Sequence, residues 1–198
     1  VLLVMKLWKA KTTIKADFSF INSLIFRNHT DYDLVDAVDA IALKSLSGDI
    51  FDFYRNNPLE DPDEYKYTKL YEKSIIKNLL DAFKIKKTRV RIHRQLPLKI
   101  TKLHTDDQNT AVKVQEDMRL RIFTALNESK DFIYEFKSGD EFAIYNLKQG
   151  ESIVFDPDEV EHGTKNLSDI NSRFSLVQIV QPNEWLKSFI KNKNEIVI

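Results

Sequence analysis

The hydrophobic pattern of the chain changes near residue 87. Before this point apolar residues recur at helical spacing in two stretches, which predicts two amphipathic helices packed on the outside of a sheet. The first stretch follows Thr30–Asp33, a segment that resembles a helix capping box, and it stops at Gly48. The predicted stripe of the first helix is Leu34, Val35, Val38, Ile41, Ala42 and Leu46, and that of the second is Tyr67, Leu70, Tyr71, Ile75, Leu79 and Phe83.

After residue 87 apolar and polar residues alternate over short runs, which is the pattern of half-buried strands. In the first run Arg89, Arg91 and His93 share one face, and Val90 and Ile92 share the other. The predicted strands are 88–94, 99–106, 119–126, 131–137, 141–146, 151–155, 161–165 and 173–180, and the segments 7–8 and 18–21 could supply one or two earlier strands.

Eight consecutive antiparallel strands without an intervening helix predict a sandwich, a jelly roll or a barrel. With the two helices, the predicted class is α+β, mainly β. We expect a single domain over 1–198, with a mainly helical part over 1–86, a β core over 87–182, and a short helix around 183–191 followed by a tail to 198.

The composition limits the function classes. Thirty basic and thirty acidic residues cancel, so the net charge gives no general attraction to nucleic acid or to an anionic membrane. The 198 residues include no cysteine, which excludes disulfides, thiolate metal sites and cysteine nucleophiles and fits a cytoplasmic protein. We expect neither a signal peptide nor a transmembrane segment.

A histidine and a carboxylate stand two residues apart in Leu103–Asp106. On an extended strand His104 and Asp106 point to the same side, so they could form two corners of a metal site. His162, after a predicted strand and turn, is the candidate for the third corner, although such a histidine is more commonly an ordinary hydrogen-bonded residue. Two histidines and one carboxylate on one face form the site of non-haem Fe(II) oxygenases.

A second signal comes eleven residues after His162. Arg173 and Ser175 share one face of an alternating strand, and the strand itself contains no acidic residue. If this face lines the interior, the buried guanidinium needs an anionic partner, which a small carboxylate ligand would provide. Arg119 and Arg121 also share a face and pose the same question, but they could equally lie on a solvated surface. His93 and Arg94 could line the same pocket or be surface residues.

In order and spacing, these pieces resemble the aspartyl/asparaginyl β-hydroxylase family over roughly residues 88–182. The matching runs are 91–106, 119–122 and 150–156, continuing through His162 to Arg173. The resemblance implies a double-stranded β-helix and an Fe(II)- and 2-oxoglutarate-dependent dioxygenase that uses O₂ to hydroxylate an amino-acid side chain. The substrate would be a free amino acid such as proline, or a peptidyl residue.

By the same resemblance, each candidate residue has an expected role. His104, Asp106 and His162 would bind iron, and Arg173 would hold the distal carboxylate of 2-oxoglutarate with the help of Ser175. Arg121 would lie near a cosubstrate or substrate carboxylate. The remaining candidates for substrate binding are His93, Arg94 and Arg119.

Two positions differ from the members that hydroxylate peptides. Phe123 stands where those members have a histidine in an R-x-H motif, and Asp106 completes a triad whose carboxylate they lack. The pattern is therefore nearer to the free amino-acid hydroxylases. Two other hypotheses stay open, namely a cupin-like metal protein that does not use 2-oxoglutarate and a non-catalytic β-sandwich interaction module.

Overall fold

The computed structural model describes residues 7–11, 18–28, 38–53, 61–81, 83–106, 120–186 and 196–197. Two helices and thirteen strands lie wholly within these ranges. In chain order they are β1 (Leu7–Lys11), α1 (Phe18–Asn22), β2 (Arg27–Asn28), β3 (Val38–Ser45), β4 (Lys66–Tyr67), α2 (Ser74–Asp81), β5 (Lys87–Gln95), β6 (Ile100–His104), β7 (Leu120–Ala125), β8 (Phe132–Ser138), β9 (Glu141–Tyr145), β10 (Glu151–Phe155), β11 (Glu161–Asn166), β12 (Arg173–Val180) and β13 (Ile196–Val197).

The strands form two sheets. The large sheet has the order β13-β1-β10-β7-β12-β5-β3-β2, with β4 also paired to β3, and the small sheet has the order β6-β11-β8-β9. Strands β5 to β12 are distributed between the two sheets in the manner of a jelly roll, so the core is a double-stranded β-helix. This confirms the predicted class, a mainly β protein with a double-stranded β-helix core.

All eight strands predicted between residues 88 and 180 are present, and their ends differ from the prediction by at most two residues. The alternation in the first of them is also confirmed, because Val90 and Ile92 contribute to an apolar core from which their polar neighbours point away. Strand periodicity was informative here because most of these strands have two chemically different faces.

The predicted helix over 34–46 is wrong for the part that the structure describes. Residues 38–45 form strand β3, which pairs with β5 and is buried along its whole length. A strand covered on both faces has apolar residues at consecutive positions, so its sequence also satisfies helical spacing. The capping-box segment 30–33 lies outside the described residues.

Other predictions for the region before residue 87 are corrected in part. The segment 18–21 belongs to helix α1 rather than to a strand, while β1 confirms the strand at 7–8. The second predicted helix is shorter than its stripe, because α2 begins at Ser74 and Tyr67 lies in β4. Since β1 to β4 all lie before residue 87, the described part of 1–86 is not mainly helical.

Two apolar layers hold the fold together. The outer layer covers the large sheet on the face that carries the helices, and it includes Ile21 of α1 and Leu80 of α2. The inner layer lies between the sheets, since it joins Phe123 and Phe155 of the large sheet to Tyr134 and Phe136 of the small one. The polar groups of the candidate site lie on the faces that enclose this inner layer.

The described parts of the C-terminal segment contact the outer face and one edge of the large sheet. Residues 184–186 are helical, in agreement with the predicted start of the last helix, and Leu186 is fully buried in the outer layer. The tail then contributes β13, which pairs in parallel with β1 and was not predicted. The single-domain boundary over 1–198 stays a prediction.

Candidate active site

The end of β6 places the H-x-D pair. Strand β6 ends at His104, and the backbone N–H of Asp106 donates a 3.0 Å hydrogen bond to the carbonyl of Pro157. The chain therefore stays attached to the β10–β11 connection for two residues after the strand ends. This attachment fixes both side chains of the pair relative to the neighbouring strand β11.

Strand β11 brings His162 to the same place. His162 is directly opposite His104 in the antiparallel pairing, and the next pair is Thr164 with Thr101. Two residues of β6 therefore oppose the single residue Gly163, which is a β-bulge. A Cβ on Gly163 would lie 2.9 Å from the carbonyl oxygen of Thr101, so only glycine fits this approach.

His104, Asp106 and His162 present their ligand atoms to one point, with all of these atoms within 4.8 Å of one another. Asp106 Oδ1 lies 3.6 Å from Nε2 of His162 and 3.9 Å from Nε2 of His104. In the part of the chain that the structure describes, no other cluster of three histidine or acidic side chains has this spacing. Two imidazoles and one carboxylate fit a divalent first-row metal ion.

Backbone carbonyls orient both imidazole rings. Nδ1 of His104 donates to the carbonyl of Lys102 at 2.8 Å, and Nδ1 of His162 donates to the carbonyl of Val160 at 3.2 Å. With the proton on Nδ1, each ring presents the lone pair of Nε2 to Asp106. Such hydrogen bonds to the distal nitrogen are typical of histidines that ligate metals.

Burial keeps His162 neutral. Its side chain is only 2% exposed, and desolvation, followed by the charge of Arg121, lowers its pKa from 6.5 to about 3, against the opposite effect of Asp106. A neutral imidazole is the form that binds metal ions. This residue thus has the protonation state of a ligand at any ordinary pH.

Arg121 of β7 lies against the triad that His104, Asp106 and His162 form. Its Nη2 donates a hydrogen bond to Oδ2 of Asp106, and its Nη1 donates to Nε2 of His162 at 2.8 Å. Asp106 therefore uses one oxygen for the guanidinium and turns the other toward the two histidines. The sequence pattern left open whether Arg121 faces the interior or the solvent, and the structure places it in the interior.

Arg173 lies deeper between the sheets. It is 3% exposed, its Nη2 donates to Oγ1 of Thr164 at 3.0 Å, and its guanidinium carbon lies 4.7 Å from the ring centroid of Tyr134. Its Nε and Nη1 are buried without an acceptor among the described residues. Burial also lowers the pKa of Arg173, with Tyr134 acting in the opposite direction.

Ser175 is next to this guanidinium on the same face of β12. Its hydroxyl lies 2.8 Å from the hydroxyl of Tyr134, in a fully buried contact. The sequence placed Arg173 and Ser175 on one face of the strand, and the structure shows that this face lies in the interior. A carboxylate placed between them would satisfy the two orphaned guanidinium donors, which fits the predicted 2-oxoglutarate site.

The remaining candidates are separated. His93 on β5 is the register partner of Ser175, so it lies on the interior face beside Arg173 and Ser175. Arg94 is on the opposite face of β5, where it donates to Asp39 Oδ2 and stacks over Phe26. The structure thus does not bring Arg94 to the triad, and Arg119 lies outside the described residues.

Sequence analysis missed three residues of the site. Thr164 follows His162 by two positions, so strand periodicity alone could have placed it on the same face. Tyr134 and Gly163 gave no such signal, because their roles depend on contacts with Arg173 and with the backbone of β6. These contacts join distant parts of the chain.

Solved structures share this fold. A 2OG-Fe(II) oxygenase family oxidoreductase from Burkholderia pseudomallei superposes with a TM-score of 0.55 at 14% identity, covering 82% of this chain and 74% of that chain. A prolyl-4-hydroxylase from Pseudomonas putida gives 0.51 at 12% identity, with 92% and 95% covered. HygX from Streptomyces hygroscopicus, solved with nickel and 2-oxoglutarate bound, gives 0.53 at 9% identity, with 84% and 76% covered.

Comparison by sequence gives no relative. No protein-family model matches the chain, and no curated protein matches it. At these low identities the structural likeness shows a double-stranded β-helix, and the side chains described above carry any argument about chemistry. Within the described ranges, no helix is both long and apolar enough to cross a membrane.

Proposed function

We propose that this protein is an Fe(II)- and 2-oxoglutarate-dependent dioxygenase that hydroxylates an amino-acid side chain. The observation that carries the proposal is the buried guanidinium of Arg173, which has two unsatisfied donors in the same interior as the triad. Thr164, its hydrogen-bond partner, is two residues from His162, or about 7 Å along the strand. A dicarboxylate with a metal-binding end and a free end fits this arrangement.

Each residue then has a defined task. Nε2 of both histidines and Oδ1 of Asp106 would hold Fe(II), and Arg173 with Ser175 would hold the far carboxylate of 2-oxoglutarate. When bound, the iron supplies O₂ activation, coupled to decarboxylation of 2-oxoglutarate to succinate. The chain itself orients the two ends of 2-oxoglutarate, one at the metal ligands and one at Arg173. The apolar layer around Phe123 and Phe155 excludes water.

The substrate is proposed to be a free amino acid such as proline, or a peptidyl residue. The resemblance to the aspartyl/asparaginyl β-hydroxylases supports this class, and the prolyl-4-hydroxylase among the structural neighbours is compatible with it. His93 is the described residue from the predicted substrate group that faces the interior. The protein is proposed to act without nucleic acid or membrane, in the cytoplasm.

The test is 2-oxoglutarate binding to the Fe(II)-loaded protein without oxygen, in the wild type and in Arg173→Met. Truncating one partner of a buried charged pair costs about 2–5 kcal/mol, so we expect at least about 30-fold weaker binding in the variant, with metal binding retained. Arg27→Met, at an exposed arginine of β2, is the matched control and should bind as the wild type does.

Two results would contradict the proposal in different ways. Unchanged 2-oxoglutarate affinity in Arg173→Met would show that the cosubstrate site is elsewhere, and metal binding without any 2-oxoglutarate binding would favour the cupin-like alternative. If 2-oxoglutarate does bind, admission of air with a panel of amino acids and peptides should produce succinate. The panel member that stimulates succinate release identifies the substrate class.

A further inference from the structure

Arg121 is hydrogen-bonded to two of the side chains that would bind the metal ion. Its Nη1 donates to Nε2 of His162, and its Nη2 donates to Asp106. A neutral imidazole nitrogen has a single lone pair, so Nε2 of His162 cannot accept a guanidinium hydrogen and ligate a metal ion at the same time. Metal binding therefore requires this hydrogen bond to break.

The surroundings of Arg121 keep its guanidinium at the triad. Arg121 is held on the interior face of β7, where its register partners are Phe155 of β10 and Ile179 of β12. Its guanidinium carbon lies 6.0 Å from the ring centroid of Phe123. These apolar neighbours offer no acceptor, and in the described part of the chain Asp106 is the carboxylate that pairs with Arg121.

The guanidinium can release His162 without leaving Asp106. The arginine uses Oδ2 of Asp106, whereas Oδ1 is the oxygen directed to the two histidines. Nε of Arg121 is already buried without an acceptor. Once Nη1 has left His162, it also lacks an acceptor. A side chain that is 14% exposed then carries two unsatisfied donors beside a divalent cation, an arrangement that an incoming carboxylate stabilises.

We infer that Arg121 competes with the metal ion for the triad and thereby couples metal binding to carboxylate binding. When no carboxylate ligand is bound, the presence of Arg121 lowers the affinity of the triad for a divalent ion. A carboxylate that takes over the displaced guanidinium restores the affinity, and by linkage the metal strengthens carboxylate binding by the same factor. This inference rests on the proposed function, in which the carboxylate is that of 2-oxoglutarate or the substrate.

The test is the dissociation constant of Mn(II), measured with and without 2-oxoglutarate, in the wild type and in Arg121→Met. Without 2-oxoglutarate we expect Arg121→Met to bind Mn(II) about tenfold more tightly than the wild type. With 2-oxoglutarate the wild type should gain more affinity for Mn(II) than the variant does. Arg121→Gln is a second variant with the same expectation, for use if the methionine variant does not fold.

Arg94→Met is the matched control, since it also removes an arginine that pairs with an aspartate, but on the outer face of β5. Without 2-oxoglutarate its Mn(II) affinity should equal that of the wild type. Equal or weaker Mn(II) binding in both Arg121 variants would overturn the competition and leave the proposed function standing. No Mn(II) binding to any of these proteins would instead overturn the proposed function, and this inference with it.

Discussion

At the scale of single residues, Gly163 decides how closely strand β11 can approach β6. A Cβ at this position would lie 2.9 Å from the carbonyl oxygen of Thr101 and 3.0 Å from the amide nitrogen of Leu103. Both atoms belong to the backbone of β6, so neither can rotate away. Because the close approach sets His104 opposite His162, a residue without chemistry of its own positions two of the metal ligands.

Gly163→Ala should therefore affect stability and the site together. Overpacking against a backbone typically costs about 1–3 kcal/mol, and we expect that loss in the free energy of unfolding together with weaker Mn(II) binding. Denaturant unfolding and metal titration measure the two effects. An alanine variant with both the stability and the Mn(II) affinity of the wild type would show that the bulge is not needed.

Gly139→Ala is a suitable comparison. Gly139 has a φ of +58°, but nothing lies within 4 Å of the added Cβ. Only the left-handed backbone conformation should oppose the change, at a cost of about 1 kcal/mol. Its Mn(II) affinity should remain that of the wild type, which separates backbone strain from the loss of ligand geometry.

At the scale of elements, the start of β5 is fixed by a buried lysine. Lys87 is 5% exposed, and its Nζ donates to the carbonyls of Phe83 and Ile85 at 2.8 and 3.0 Å. Burial lowers the pKa of Lys87 from 10.5 to about 8, against the effect of Asp81 and with a contribution from Lys44. The lysine closes the turn before β5 and carries a charge that burial disfavours.

This arrangement predicts a specific pH dependence of stability. Below about pH 8 Lys87 is protonated in both states, but between about pH 8 and pH 10 the folded state loses the proton that the unfolded state still holds. The free energy of unfolding of the wild type should therefore rise over this interval, by about 2 kcal/mol relative to Lys87→Met. Urea unfolding at several pH values measures the difference.

The control for this prediction is Lys84→Met, which removes an exposed lysine from the same segment. Lys84→Met should have the same pH profile of stability as the wild type, since it leaves Lys87 in place. If the stability of Lys87→Met has the same pH profile as the wild type, Lys87 keeps its proton in the folded protein and the assignment is wrong.

At the scale of the whole molecule, the large sheet separates two layers with different roles. The inner layer borders the triad and the pair Arg173 and Ser175. The outer layer joins the sheet to α1, α2 and the C-terminal segment. Stability and site geometry should therefore be separable by mutation. Strand β3, which extends the sheet beyond β5, gives α1 and α2 an apolar surface on which to pack.

Leu80→Ala tests this separation. Leu80 of α2 is fully buried in the outer layer, and a large-to-small change in a core costs about 2–5 kcal/mol. We expect that loss in unfolding experiments while the Mn(II) affinity of the folded protein stays unchanged. Ile144→Ala, at an exposed residue of β9, should alter stability by less than about 0.5 kcal/mol. A changed metal affinity in Leu80→Ala would mean that the layers are coupled.

The sequence by itself determined the features that depend on local periodicity. The eight strands from β5 to β12 followed from alternation, and the shared orientation of His104 and Asp106 followed from their spacing of two. The position of Arg173 and Ser175 on one face of β12 had the same origin. Except at Asp106, which lies beyond the end of β6 and is held by its hydrogen bond to Pro157, the side-chain direction is fixed by the backbone of a single strand, which the order of residues reveals.

Only the tertiary structure decided the features that depend on contacts between distant segments. Strand β3 has the apolar spacing of a helix and is a strand because β5 pairs with it and it is buried along its whole length. Arg94 turns out to pair with Asp39 on the outer face, while Arg121 meets the triad. Local pattern shows which residues share a face, but the partner strand decides which face becomes the interior and what lies opposite it there.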